Sequence, residues 1–184
     1  MNHPDNDARL KQLNESIKML NKLKRIDSGA NEFSRKVRVK LLSEEAKMPT
    51  RSNLSDAGWD LYSTEDVVIT GGQRKIVKTG ISLQIPEEWV GLIWPRSGLS
   101  VKKGLDVLAG VVDSGYRGEI MVCLYNTNMQ LKLFADDDDP IVTIKKGDRI
   151  GQILFQRVPD VHLVEVDYLS DSDRGEKGFG SSGK

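Results

Sequence analysis

The chain has 184 residues, with 27 Lys+Arg against 27 Asp+Glu and 38% hydrophobic residues, a size that suits one domain with a real core. The even charge gives no overall case for nucleic acid as a partner, and no apolar run approaches the roughly 18 residues of a membrane span. Cys123 is the only cysteine, which excludes an internal disulfide and a cysteine-based metal site.

The charge is unevenly spread. Residues 1–40 carry ten basic and five acidic side chains, and the rest carries 17 and 22. The polar N-terminus shows no signal-peptide pattern, so a cytoplasmic location is expected, or a nuclear one in a eukaryote.

Residues 1–35 read as a helical extension. Asp5, Asn6 and Asp7 offer a helix start. Leu10, Leu13, Ile17 and Leu20 then form one stripe at 3-4-3 spacing. Asp27, Ser28 and Gly29 stop it. The helix either packs on its own domain, frays, or pairs with copies or a partner. From Val37 the period becomes two: Val37, Val39 and Leu41 alternate with Arg38 and Lys40. Further β-prone segments are expected at 66–70, 80–85, 89–94, 105–112, 120–125, 141–145, 150–158 and 161–166. Gly, Pro and Lys-Gly turns separate them. Many short strands so punctuated predict an all-β sandwich or barrel over 36–169. Residues 136–139 are four aspartates, read as a solvated loop. The glycine-rich tail, 170–184, is expected to be mobile unless something orders it.

Five short stretches exceed what architecture needs. Residues 110–120 read as a hairpin, with Asp113 at its shoulder and Tyr116 three residues on; by itself this is an ordinary surface turn as readily as a site. Residues 56–61 place Asp60 just inside a strand, beside small residues. Pro95, Arg96, Ser97 and Gly98 offer a guanidinium fork, a hydroxyl and an open backbone N–H, groups that suit a phosphate. Gln152 is polar in an otherwise apolar strand and needs a partner. Residues 174–183 join Arg174 and Phe179 to glycines and serines. No P-loop or dinucleotide fingerprint is present, and neither His3 nor His162 sits in a triad or zinc pattern. Together the inventory reads as a polyphosphate site with a stacking ring and a poised carboxylate.

In order, these stretches resemble the five motifs of the trimeric deoxyuridine triphosphate nucleotidohydrolases (dUTPases), over roughly residues 37–183. The resemblance implies an all-β, distorted jelly-roll barrel forming a homotrimer, with the N-terminal helical extension and a flexible C-terminal arm. One subunit would supply the first, second and fourth motifs, the next the third, and the last the arm. It implies hydrolysis of dUTP to dUMP and pyrophosphate with Mg²⁺, keeping uracil out of DNA and supplying dUMP for thymidylate synthesis. Asp113 would be the general base. Arg96, Ser97, Gly98 and Gln152 would hold phosphates. Arg174 would reach the γ-phosphate, with Gly180, Ser181 and Ser182 nearby. Backbone groups of Gly110, Val111, Val112, Asp113 and Met121 would bond the uracil edge. Phe179 would stack on the base, and Tyr116 would lie under the deoxyribose. Asp60 would reach the Mg²⁺ through an intervening water. Gly151 stands where alanine is usual, and Ser182 where threonine is usual.

Two rivals remain. A deoxycytidine triphosphate deaminase needs a glutamate in the strand after the hairpin. Cys123 stands there, and Glu119 comes too early. A binding role through residues 1–35 or the long 126–146 segment is compatible with catalysis. Direct nucleic-acid or membrane binding is not expected.

Overall fold

The computed structural model describes residues 36–128 and 140–178. Among the described residues, ten strands and one helix follow in order: β1 (Arg38–Leu41), β2 (Trp59–Tyr62), β3 (Val67–Thr70), β4 (Arg74–Gln84), β5 (Trp89–Trp94), α1 (Ser97–Lys103), β6 (Leu105–Leu108), β7 (Val111–Val112), β8 (Glu119–Asn126), β9 (Ile141–Ile144) and β10 (Arg149–Arg157). They form two four-stranded sheets, β1-β4-β8-β6 and β2-β10-β5-β7, and a two-stranded ribbon, β3-β9. The expected all-β, jelly-roll-like architecture holds, with sheet edges left open instead of a closed barrel.

The period of two decides which face each strand buries. In β8, Ile120, Val122, Leu124 and Asn126 point inward, alternating with Met121, Cys123 and Tyr125. They meet Leu61, Ile93, Ile150 and Ile153 of the other sheet in one core. Each such side chain contributes about 1.5–3 kcal/mol on burial. The buried Asn126 belongs there because its amide donates to the carbonyls of Ile69 (2.9 Å) and Pro140 (3.0 Å). Asp66 accepts from the Lys146 backbone and the Lys145 ammonium, which holds its carboxyl below the usual range and ties the ribbon to the turn before β10.

Four expectations are corrected. Residues 105–112 are not one strand: Ala109 takes a positive φ of 54°, and the chain leaves one sheet for the other. Consequently 110–120 is not a paired hairpin, because β7 pairs with β5 and β8 pairs with β4 and β6. Residues 97–103 form a helix, where only a turn at 102–104 was expected. Its last turn carries Lys102 and Lys103, and Gly104 closes it in the left-handed region (φ 64°). Finally, residues 161–166 form no strand; every described residue from Val158 onward is exposed. The helical reading of 1–35 and the aspartates 136–139 lie outside the described residues.

Candidate active site

Three of the five stretches are brought together by strand order. β10 lies between β2 and β5, and the register places Asp60 opposite Gln152 and Gln152 opposite Trp94. Residues opposite one another share a sheet face. Pro95, Arg96 and Ser97 then run straight out of β5 into α1. A pocket of about 470 Å³ results, lined by Asp60, Arg96, Ser97, Gly98 and Gln152 among others.

The polar groups in it are fixed by one another. Arg96 Nε donates to Asp60 Oδ1 at 2.8 Å, and Arg149 Nη1 donates to Asp60 Oδ2 at 3.2 Å. The Asp60 carboxylate is buried and Arg96 is largely so, which makes that charge-assisted bond worth about 1.5–3 kcal/mol; Arg149 is more exposed, and screening by water cuts its bond to about 0–1 kcal/mol. Gln152 Nε2 donates to the Pro95 carbonyl at 2.9 Å. Gly58 makes room for that amide, because a Cβ there would sit 2.3 Å from Gln152 Oε1. Gly98 has open space around its missing Cβ, and the first backbone N–H groups of α1 have no partner within the helix. A guanidinium, a hydroxyl and bare N–H groups therefore line one cavity, which suits an oxyanion.

The Asp113 stretch builds a different pocket. Gly110 approaches β5 so closely that a Cβ would lie 2.3 Å from the Ile93 carbonyl oxygen, and Ile93 N–H donates to the Gly110 carbonyl at 2.7 Å. That contact carries β7 away from β8. The β6–β8 ladder ends at Leu108 and Cys123, so Met121 has no strand beside it on that side among the described residues. The gap is a pocket of about 200 Å³ whose walls include Val111, Val112, Asp113, Tyr116 and Met121. Tyr116 folds back over Gly118, where a Cβ would meet its hydroxyl at 2.3 Å, and donates to the Glu119 carbonyl at 3.1 Å. Asp113 is exposed, and no cationic side chain lines this pocket.

A family model described as dUTPase matches residues 44–183. The chain belongs to the dUTPase family. A Nocardia farcinica deoxyuridine 5'-triphosphate nucleotidohydrolase is 51% identical over 138 residues, 74% of this chain and 78% of that one. The Corynebacterium efficiens enzyme of the same name is 47% identical over 150 residues, 80% and 78%. Among solved structures, the Staphylococcus bacteriophage 80alpha dUTPase with dUpNHpp matches with a TM-score of 0.74 and 34% identity, covering 82% of this chain and 99% of that one. A mutant dUTPase of the S. aureus phage phi11, described with a structural Mg(II) ion, matches with a TM-score of 0.66 and 29% identity, over 73% and 98%.

Within this dUTPase-family chain, Arg174 lies in an exposed local turn. Its Nε donates to the Lys177 carbonyl (3.1 Å), and Gly175 takes a φ of 53°. Phe179, Gly180, Ser181 and Ser182 lie outside the described residues. Sequence reasoning gave no role to Arg149, Gly58 or Gly118. Arg149 lies three residues before Gln152, but its place as a second guanidinium on Asp60 shows only once β2 and β10 are paired.

The described residues hold no group of three or more His, Cys, Asp or Glu able to hold a metal. Asp60 has both oxygens engaged by arginines, yet each carboxylate oxygen keeps acceptor capacity. This donor set fits Mg²⁺ that arrives on a polyphosphate and meets the protein through water, since Mg²⁺ keeps several waters and needs few protein ligands.

Proposed function

We propose that this chain hydrolyses dUTP to dUMP and pyrophosphate, as a homotrimer with sites shared between subunits. The observation that carries this reading is the pair of complementary pockets. One offers phosphate donors without Asp113, and the other offers Asp113 and a base-sized slot without any cation. Neither is a complete site. Joining the second pocket of one subunit to the first of its neighbour puts a carboxylate beside a polyphosphate cradle.

In this arrangement uracil enters the gap between β7 and β8. A paired hairpin would have consumed the backbone groups there; the split leaves for the base edge those groups of Gly110, Val111, Val112, Asp113 and Met121 that are not already used, the Gly110 carbonyl being taken by Ile93 N–H, the Asp113 carbonyl by Tyr116 N–H and one edge of Val111–Val112 by β5. Fixed donors and acceptors reject cytosine because it leaves buried groups unpaired. Tyr116 lies under the deoxyribose, where a 2′-hydroxyl would crowd it. Asp113 takes a proton from the water that attacks the α-phosphate in line with the leaving pyrophosphate. Arg96, Ser97, Gly98 and Gln152 stabilise the charge that moves onto the leaving group. Mg²⁺ would be held chiefly by the three phosphates, with Asp60 reaching it through water, and would neutralise their charge. Arg174 and Phe179 close the site from the arm, with Gly180, Ser181 and Ser182 beside the phosphates.

The segment just before the arm also supports the trimer. Val161, Leu163, Val164, Val166 and Leu169 are all exposed, with Leu163 at 95%. An apolar run of this kind marks a protein contact. It forms no strand in the single chain because a strand needs a neighbour to bond, and a second copy supplies one. The reading accounts for a cytoplasmic role in nucleotide metabolism, removing dUTP before it enters DNA and supplying dUMP.

Two measurements test it. Pyrophosphate release with Mg²⁺ should be at least about 100-fold faster in kcat/KM with dUTP than with dCTP, dTTP or UTP; equal rates across the panel would reject the assignment. For the shared site, Arg96→Ala and Asp113→Asn trimers should each be inactive. Random exchange of equal amounts of their subunits should restore about a quarter of the sites, since one site in four draws Arg96 and Asp113 from intact copies. No recovery after verified subunit exchange would place both residues in one chain's site.

A further inference from the structure

The width of the slot between β7 and β8 decides what enters it, so whatever holds its two walls apart bears on selectivity. The β7 wall is held by the close approach of Gly110 to Ile93. The other wall, residues 117–121, is held by a different device in β4. The β4–β8 register shifts between Lys78 and Ser82, the mark of a bulge. Gly80 sits in it at φ 67°, where a Cβ would lie 2.8 Å from the side chains of both Ala46 and Thr64.

Three groups of this bulge bond the wall. Gly80 N–H donates to Glu119 Oε1 at 2.8 Å. Ser82 Oγ donates to the Arg117 carbonyl at 2.7 Å. Thr79 Oγ1 donates to the Ile120 carbonyl. Thr79 and Ser82 are buried, so these hydroxyls have no ready exchange with water. The Glu119 main chain in turn accepts the Tyr116 hydroxyl. One residue thus ties the bulge, through its side chain, to the aromatic ring that faces the slot, through its carbonyl.

We infer that Glu119 is a positioning residue for substrate selection: its carboxylate, with Ser82 and Thr79, locks the Tyr116–Met121 wall to the β4 bulge and sets the slot's width. This rests on the reading of the slot as the deoxyuridine pocket. The carboxylate acts as a hydrogen-bond acceptor toward Gly80, and its charge is not what the contact requires. Glutamine keeps such an acceptor and alanine does not.

The experiment compares wild type, Glu119→Gln and Glu119→Ala in steady-state hydrolysis of dUTP and UTP, and in calorimetric binding of the imido analogue of dUTP. Glu119→Ala should raise KM for dUTP and weaken analogue binding by about tenfold, change kcat by less than about threefold, and narrow the preference for dUTP over UTP. Glu119→Gln should stay within about threefold of wild type in all three. A general loss of packing would not shift the dUTP/UTP ratio while sparing kcat. If Glu119→Ala does not fold, Ser82→Ala removes a different bond of the same clamp and should move KM and the ratio in the same direction. Wild-type affinity and preference in the variant that folds would overturn the inference, as would a Glu119→Gln protein as impaired as Glu119→Ala. A wild-type protein that neither turns over dUTP nor binds the analogue would overturn the pocket assignment itself; active wild type with an indifferent variant overturns the clamp alone.

Discussion

Asp113→Asn should lower kcat for dUTP by about 10²–10⁴-fold, the usual worth of a general base, and leave affinity for the imido analogue within a few-fold. The reason lies in what the substitution keeps. Asp113 is exposed at the end of β7, and its backbone already has a structural job, since Tyr116 N–H donates to the Asp113 carbonyl at 3.1 Å. Asparagine preserves that turn, the side-chain size and an acceptor oxygen. It removes the capacity to take a proton from water. Single-turnover hydrolysis and calorimetry separate the two effects. A variant with full kcat would mean that the water is activated by something else, and a variant that bound no analogue would mean that Asp113 is a binding group.

Removal of residues 174–184 should lower kcat/KM for dUTP by about 100-fold or more and leave the proposed trimer intact by light scattering. In the proposed site Arg174 would make a charge-assisted phosphate contact, and each such contact is worth about 1.5–3 kcal/mol. Aromatic stacking of Phe179 on a base adds about 1–3 kcal/mol. The loss is catalytic more than structural because the described part of the segment makes local turns: Gly175 N–H donates to the Ser172 carbonyl and Lys177 N–H to that of Arg174. The apolar residues assigned to the subunit contact, such as Leu163 and Val164, lie upstream and remain. Unchanged kcat/KM would sink the lid. Dissociation to monomers would show that the contact between copies extends into the deleted residues.

The exposed apolar segment 161–169, the bare oxyanion cradle and the unpaired slot are three local violations of ordinary packing. An isolated chain leaves each of them unsatisfied. In the proposed trimer a second and third copy, with a polyphosphate between them, would satisfy all three at once. That consistency is why the trimeric reading is preferred to one in which the arm is a mere tail.

The sequence by itself determined the β architecture and the chemical inventory. Alternation in Ile120, Val122 and Leu124 is local, because successive side chains of a strand point to opposite faces whatever the partner strand is. The five stretches were likewise legible, but only together: each alone has an ordinary structural use, and it is their joint inventory that reads as a polyphosphate site. The tertiary structure alone decided which groups meet. Nothing local says that β10 lies between β2 and β5, so Asp60, Gln152 and Trp94 could not be placed side by side, nor Arg149 set on Asp60. The same holds for the supposed hairpin. Residues 110–120 have the turn and the β-prone flanks of one, but pairing is a long-range choice. Close approach of Gly110 to Ile93 and the bulge at Gly80 pull its two arms into different sheets. The short α1 escaped notice because it buries no residue fully and so has no apolar stripe to read, although Lys102, Lys103 and Gly104 spell a helix end. Hydrophobic period reports each residue's own face; strand order and register are set by the sum of contacts over the whole core, and the site is built from that order.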